Sequence, residues 1–149
     1  MAVKFKPDGY SSVTPYLVVE DAAGLIDFIK SVFGGNERMR MPMPNGGVGH
    51  AEVEVGDSLI MMSDSSSTDN NITFPGMLNL YVEDCDTVYK AALAAGAESA
   101  REPATQFYGD RNAVIRDPFG NTWSISTHVE DVPPEEMGKR MAEWAKQNG

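Results

Sequence analysis

A histidine and a glutamate two residues apart, His50 and Glu52, are the best candidates in this chain for acid–base chemistry. In the segment Gly49–Val55 apolar residues alternate with polar ones, as in a strand with one polar face, so the side chains of His50 and Glu52 share a face. Such a pair can transfer a proton or donate two ligands to a metal ion. A hydrogen-bonded pair on a half-exposed sheet is an equal alternative, and the sequence leaves both open.

A second set of candidates lies where a loop enters a later predicted strand. Tyr108, Asp110 and Arg111 combine an aromatic ring with a guanidinium, which suits an anionic or planar ligand. An Asp–Arg pair that only orders the loop fits the same residues.

His128, at the end of the last predicted strand, is a weaker candidate for a metal ligand. Cys85 shares a helical stripe with apolar residues, which predicts a core position.

The elements that must position these residues occur twice in the same order, strand–helix–strand–strand–strand. Val18-Val19-Glu20-Asp21 and Tyr81-Val82-Glu83-Asp84 each close a strand and cap a helix, and they mark the repeat. The predicted strands are 12–19, 36–43, 48–55, 58–64, 77–82, 98–103, 111–116 and 122–127, and the predicted helices are 22–33, 84–95 and 134–146. The sequence therefore predicts an α+β fold with two modules, at about 12–64 and 77–128, followed by a short C-terminal helix.

Composition narrows the class of protein. The 149 residues, 42% of them hydrophobic, are enough for a single domain over 1–149. The net charge of -10 argues against a nucleic-acid partner and favours neutral or cationic ligands. One cysteine cannot form an intrachain disulfide. The chain has no apolar run long enough to cross a bilayer and no signal-peptide pattern at Met1-Ala2-Val3-Lys4, so we expect no membrane partner and a cytoplasmic location.

The segment Arg116–Ser126 is a tight Asp-Pro-Phe-Gly turn leading into a strand in which Trp123 and Ile125 alternate with small polar residues. The other informative segments are Met41–Gly46, Gly49–Glu52, Leu80–Asp84, Phe107–Arg111 and Thr127–Val132. Together they resemble the glyoxalase/bleomycin-resistance/dioxygenase (vicinal-oxygen-chelate) superfamily, and within it the PhnB-like proteins. The resemblance implies two βαβββ modules that form a curled mixed sheet around a cleft, with the helices outside and a homodimeric assembly.

The resemblance also implies where a metal would bind. In the glyoxalase I pattern the ligands come from the first and fourth strands of each module, which here are Thr14, Met61, Met77 and Ser124. Thioethers and neutral hydroxyls are poor donors to zinc, nickel or iron. We therefore expect no metal, no other cofactor and no glyoxalase I activity.

Strand alternation in the implied register predicts which residues face the cleft, while Leu17, Leu78, Leu80, Trp123 and Ile125 lie under the helices. The predicted ligand-binding cleft contains Thr14, Tyr16, His50, Glu52, Met61, Met77, Asn79, Tyr108, Arg111, Ser124 and Ser126. The leading hypothesis is a metal-free protein that binds a small molecule. One alternative is a lyase or isomerase in which His50 and Glu52 act as an acid/base pair or belong to a rearranged metal site. Another is a scaffold role with a filled cleft.

Overall fold

The computed structural model describes residues 2–149, and a boundary between Gly76 and Met77 divides the chain into two compact units, module 1 and module 2. Module 1 contains β1 (Tyr16–Val19), α1 (Ala22–Phe33), β2 (Asn36–Pro42), β3 (Val48–Val55) and β4 (Ser58–Asp64), with a 3-10 turn at Ser65–Ser67. Module 2 contains β5 (Met77–Tyr81), α2 (Cys85–Ala94), β6 (Glu98–Thr105), β7 (Asp110–Arg116), β8 (Thr122–His128) and α3 (Pro134–Asn148). The predicted α+β fold of two βαβββ modules and a C-terminal helix is confirmed.

The strands form two four-stranded sheets, with the orders β1–β4–β3–β2 and β5–β8–β7–β6. β1 pairs in parallel with β4, and β5 pairs in parallel with β8. All other neighbouring strands are antiparallel. A parallel pair needs a long crossover, and in each module the helix belongs to that crossover. β1 begins at Tyr16 rather than at Ser12, so Thr14 precedes the strand. The intervening Pro15 has no N–H to give to a ladder, although its carbonyl accepts the N–H of Met61.

The helices α1 and α2 each pack on one face of their own sheet. The buried stripe of α1 includes Leu25, Ile26 and Ile29, all fully buried, and burial of each such side chain contributes about 1.5–3 kcal/mol. The helix ends at Phe33 and is capped by Gly34, and at Gly35 a Cβ atom would lie 2.6 Å from a methyl carbon of Ile29. Glycine is therefore needed there for the chain to pass between helix and sheet.

The start of each helix has the same construction in both modules. The Asp21 carboxylate accepts a hydrogen bond from the N–H of Gly24, and the Asp84 carboxylate accepts one from the N–H of Thr87. These caps satisfy amides that have no partner inside the helix. The repeated signature predicted both aspartates as caps.

The first helical amide of each module reaches the end of the fourth strand. The N–H of Ala22 donates to the buried carboxylate of Asp64 at 2.7 Å, and that carboxylate also accepts the N–H of Val48 at 2.6 Å. In module 2 the N–H of Cys85 donates to the hydroxyl of Thr127 at 2.9 Å. Strand and helix are thus joined at the same point in both modules by different side chains.

The C-terminal helix α3 packs on the loop before β7 and on the segment after β8 of the same module, although none of its residues is buried. Arg140 donates to the backbone carbonyl of Phe107 and forms a two-bond ion pair with Glu130, and the ring of Trp144 lies 5.9 Å from that of Phe107. Among residues 2–149, no helix is long and apolar enough to cross a membrane.

Candidate functional site

The face of each sheet turned away from α1 or α2, here called the polar face, carries most of the predicted site residues. In module 1, His50 Nε2 lies 2.9 Å from Glu52 Oε2, and the Tyr16 hydroxyl lies 3.1 Å from His50 Nδ1. The hydroxyl of Tyr10 donates to Glu52 Oε1 at 2.5 Å. Glu52 is only 5% exposed, so two side chains, those of Tyr10 and His50, bind a nearly buried carboxylate, and Tyr16 contacts it only through His50.

The charge on Glu52 follows from these contacts. Burial raises the pKa of Glu52, but the hydrogen bonds from Tyr10 and His50 outweigh it, and the pKa lies below its ordinary value. The same bond to Glu52 raises the pKa of the Tyr10 phenol. Because an ionised carboxylate only accepts hydrogen bonds, the proton between His50 and Glu52 belongs to Nε2 of the imidazole. The pair has the arrangement of a histidine oriented by a carboxylate.

Sequence reasoning missed Tyr10 in this network. It lies in the segment before β1, which has no regular secondary structure, and it is 42 residues from Glu52 in the sequence. Periodicity predicts only residues inside regular elements, so no signal in the sequence pointed to this contact.

The strand register brings Met61 to the same region of module 1. Met61 pairs with Tyr16 of β1 on one side and with Glu52 of β3 on the other. Leu17 is buried on the other side of β1, as the alternation predicts.

In module 2 the polar face carries Asn79, Ser124 and Ser126. The hydroxyl of Ser126 donates to Asn79 Oδ1 at 2.9 Å, and Ser124 pairs with Asn79 in the strand register. Ser124 and Ser126 are 8% and 1% exposed, so burial alone does not separate them from the helix side. The α2 side is identified by Thr127, whose hydroxyl accepts the N–H of Cys85, so alternation places Ile125 on that side and the two serines on the other. The thiol of Cys85 is buried and donates to the Ile125 carbonyl, which is the core position expected for that cysteine.

Tyr108 joins this face through Asn112, which pairs with Ser126 in the register. The amide of Asn112 donates to the Tyr108 hydroxyl at 2.8 Å and accepts from the Arg101 guanidinium at 2.7 Å. The sequence predicted Tyr108 but neither Arg101 nor Asn112.

Arg111, which the sequence grouped with the cleft residues, has its side chain on the α2 side of the sheet. Its guanidinium forms a two-bond ion pair with Asp86 of α2, at 2.7 and 2.9 Å. The hydrogen bonds of this pair lower the pKa of Asp86 and raise that of Arg111. Successive residues of a strand point to opposite faces, so Asp110 and Arg111 cannot act together.

Asp110 instead belongs to a second histidine network. Its carboxylate accepts from the Tyr81 hydroxyl at 2.7 Å and lies 2.8 Å from His128 Nδ1, while His128 Nε2 lies 2.7 Å from Asp131. The hydrogen bonds to Asp110 and Asp131 raise the pKa of His128, and the bond to Asp110 raises the pKa of Tyr81. Both ring nitrogens can donate only when the imidazole is protonated, so this geometry belongs to the cation.

Comparison with known proteins supports the same family as the motifs. A family model described as the Glyoxalase/Bleomycin resistance protein/Dioxygenase superfamily matches residues 10–125, more than three quarters of the chain. The chain belongs to this superfamily. Relatives of this superfamily member include the uncharacterized protein Mb0911c of Mycobacterium bovis, 33% identical over 151 residues, which cover 95% of this chain and 97% of that protein. The uncharacterized protein Rv0887c of Mycobacterium tuberculosis is also 33% identical, over 95% of this chain and 86% of its own length.

Solved structures share the superfamily fold. TioX from Micromonospora sp. ML1 superposes with a TM-score of 0.67 at 23% identity, over 80% of this chain and 99% of its own. A PhnB protein from Bacillus cereus superposes with a TM-score of 0.63 at 19% identity, over 78% of this chain and 99% of its own. At these identities the similarity shows the fold and leaves the chemistry to the individual side chains.

The residues at the four positions where the resemblance implies a metal do not fit a transition metal. Met61 and Met77 offer thioethers, Ser124 and Thr14 offer neutral hydroxyls, and Met77 is 73% exposed. Among residues 2–149, no three His, Cys, Asp or Glu side chains are grouped to hold a metal ion. The ring nitrogens of His50 already have protein partners, so a metal bound there would have to displace them.

Proposed function

We propose that this protein binds a small organic molecule on the polar faces of its sheets, without a metal ion. The observation that carries the proposal is the donor set at the superfamily's metal positions, Thr14, Met61, Met77 and Ser124. Neutral hydroxyls and thioethers neither retain a divalent ion nor replace its charge in stabilising an enediolate. Glyoxalase I chemistry is therefore not expected of this chain.

The side chains on these faces favour a ligand that is partly apolar. Met61, Met77 and Tyr16 offer apolar and aromatic surface, and unbranched thioethers adapt to varied shapes. Asn79 and Ser126 add hydrogen-bonding groups. The net charge of -10 favours a neutral or cationic ligand over an anionic one. A cytoplasmic location and a two-fold homodimer are part of the proposal, and light scattering at micromolar concentration tests the dimer.

The first test measures metal content and ligand binding in protein purified without chelators. We expect far less than one equivalent of zinc, nickel or iron, no turnover of a glutathione hemithioacetal, and thermal stabilisation by members of a panel of small metabolites and antibiotics. A ligand that binds only the folded state raises the unfolding temperature in proportion to its excess over Kd. One equivalent of tightly bound metal that is lost in Ser124→Ala would overturn the proposal.

A designed gain of metal binding tests the register on which the proposal depends. The combined substitutions Thr14→His, Met61→Glu, Met77→His and Ser124→Glu supply two imidazoles and two carboxylates at the superfamily positions. We expect zinc affinity to appear, provided that neighbouring side chains orient the new ligands. The matched control carries only Met61→Glu and Ser124→Glu, and with two ligands it should bind zinc far more weakly.

A second candidate function is a lyase or isomerase reaction that uses His50 and Glu52 as an acid/base pair. The observation that favours it is the oriented pair itself, with Tyr16 on the remaining ring nitrogen. If a screen finds a substrate, His50→Asn and Glu52→Gln should abolish turnover while His128→Asn retains it. Unchanged turnover in His50→Asn would eliminate this candidate.

A further inference from the structure

Module 2 has an open groove at the carboxyl ends of its two parallel strands, β5 and β8, beside the start of α2. The groove consists of two neighbouring cavities of about 590 and 380 Å³, which share Glu83 and Thr127 as walls. The first is lined by Tyr81, Val82, Glu83, Thr127 and His128, and the second by Glu83, Asp84, Cys85, Asp86, Arg111, Thr127 and Val129. All these residues belong to module 2, and we call the feature the β5–α2 groove.

The charges of the groove are unevenly compensated. Arg111 is neutralised by Asp86, and His128 lies between the carboxylates of Asp110 and Asp131. The carboxylate of Glu83, which lines both cavities together with Thr127, has no hydrogen bond or ion pair with any of residues 2–149. A free carboxylate in the middle of the groove favours a cation there.

An aromatic ring stands beside this carboxylate. Tyr81 is 59% exposed, and its hydroxyl is held by Asp110 at 2.7 Å, which fixes the orientation of the ring. A fixed and accessible aromatic ring attracts cations through its electron-rich face, and quaternary ammonium groups are recognised in this way. The ring and the carboxylate together suit an organic ammonium group better than a small hydrated metal ion.

We propose that the β5–α2 groove binds the cationic head of an organic ammonium compound, between the Tyr81 ring and the Glu83 carboxylate. This rests on the proposed small-molecule function and names the chemical class of the ligand. Tyr81 lies on the polar face of β5, two residues from Asn79, so it joins the groove to the face proposed above.

Module 1 supplies an internal control for this site. In the repeated signature, Val18 and Glu20 stand where Tyr81 and Glu83 stand in module 2. Val18 is buried and cannot offer an aromatic face. A carboxylate at the corresponding position of module 1 therefore lacks the ring that would make it a site.

The test compares choline with its neutral isostere, in which a tert-butyl group replaces the trimethylammonium group. Binding is measured by titration calorimetry and by ligand-observed NMR at low and high salt. We expect choline to bind with a roughly millimolar Kd, to weaken as salt is added, and to bind at least about fivefold more tightly than the isostere. Equal affinity for the two compounds would overturn the proposal.

Variants locate the site. Tyr81→Leu and Glu83→Gln should each weaken choline binding by about three- to tenfold, whereas Tyr81→Phe, which keeps the ring, should retain most of it. Glu20→Gln makes the same charge change in module 1 and should leave binding unchanged. Equal weakening in Glu83→Gln and Glu20→Gln would show a bulk charge effect and overturn the site. An unchanged unfolding midpoint in each variant excludes misfolding as the cause.

Failure here is distinguishable from failure of the proposed function. If a screened ligand shifts the NMR signals of Met61 or Ser124 and choline does not bind, the small-molecule function stands and the ammonium site is wrong. If neither choline nor any screened compound binds, both proposals fall.

Discussion

Module 1 and module 2 share a strand order and a helix cap but differ in the placement of their polar groups. His50 stands one residue before Ala51 on β3, and Asn112 stands one residue before Ala113 on β7, while both alanines pair with the same position of the fourth strand. The histidine of module 1 therefore corresponds to an asparagine in module 2. The backbone frame follows from rules that apply to both modules, whereas the chemistry of each polar face depends on individual substitutions.

The two histidine networks also differ in charge. In module 1 the carboxylate of Glu52 is stabilised as an anion by Tyr10 and His50. In module 2 the imidazole of His128 is stabilised as a cation by carboxylates on both nitrogens. Similar residue types thus produce an oriented histidine in one module and a charge-paired one in the other.

The largest expected difference between the modules lies in their last turns. In module 2 the buried Asp117 carboxylate accepts from the backbone amides of Phe119 and Asn121, from the Asn121 side chain and from the Trp123 indole, all at 2.8–2.9 Å. We expect Asp117→Ala to lower the free energy of unfolding by about 3–5 kcal/mol, because these donors lose their acceptor. Urea denaturation measures the loss.

The matched control is Asp57→Ala in the two-residue turn of module 1. Asp57 is exposed and accepts one hydrogen bond, from the Ser58 hydroxyl. Its removal should cost less than about 0.5 kcal/mol. If both alanine variants lose the same stability, the Asp117 contacts do not hold the turn.

The next effect lies where helix and fourth strand meet. Asp64→Ala removes the acceptor of two buried amides, those of Ala22 and Val48, and should cost about 2–3 kcal/mol. Thr127→Val removes the acceptor of the Cys85 amide and the donor to the Val82 carbonyl, and should cost about 1–2 kcal/mol. Urea denaturation of the two variants measures which one loses more stability. A larger loss in Thr127→Val than in Asp64→Ala would contradict this ranking of the two helix–strand junctions.

The sequence predicted the strands, helices and helix caps well because local patterns determine them. Alternation gave the bounds of β3 and β4 as they are observed, helical periodicity gave those of α1, and the repeated signature gave Asp21 and Asp84 as caps. Each of these features depends on residues that are neighbours along the chain.

The site was predicted less completely because its contacts join distant residues. Tyr10 reaches Glu52 from a segment without regular structure, and His128 meets Asp110 across two strands. One difference could have been foreseen, since Arg111 follows Asp110 in a strand and alternation places the two on opposite faces. The assembly of the cleft, the absence of a metal and the identity of the ligand stay predictions.

A smaller effect is the pH dependence of the stability that Glu52 contributes in module 1 and His128 contributes in module 2. The folded-state pKa of Glu52 lies below its ordinary value of 4.5, so its stabilising contribution is present above that pH and is lost as pH falls through the folded-state pKa. The pKa of His128 is raised above its ordinary value of 6.5, so its contribution is complete below 6.5 and is lost as pH rises through the folded-state pKa. The contributions of Glu52 and His128 therefore depend on pH with opposite sign.

Unfolding midpoints across pH 3–10 test this sign. The deficit of Glu52→Gln against wild type should shrink toward acid pH, and that of His128→Asn should shrink toward alkaline pH. Glu54→Gln is the control for module 1, since its ion pair with Arg38 is longer, at 3.6 Å, and partly exposed. A His128→Asn deficit that grows as pH rises would contradict the assigned charge.

The smallest expected effect concerns α3, an element that module 1 lacks. The chain has two tryptophans, and Trp144 of α3 is 47% exposed with a ring contact to Phe107, whereas Trp123 of β8 is 1% exposed. Trp144→Ala should therefore lower the free energy of unfolding by less than about 1 kcal/mol, while Trp123→Ala should cost about 3–5 kcal/mol. The comparison also reports on assembly, because a partner subunit seated on α3 would desolvate Trp144. A loss above about 2 kcal/mol that shrinks as the protein is diluted would place α3 in a subunit interface rather than only on the rest of module 2, because dilution removes the association energy from wild type and variant alike.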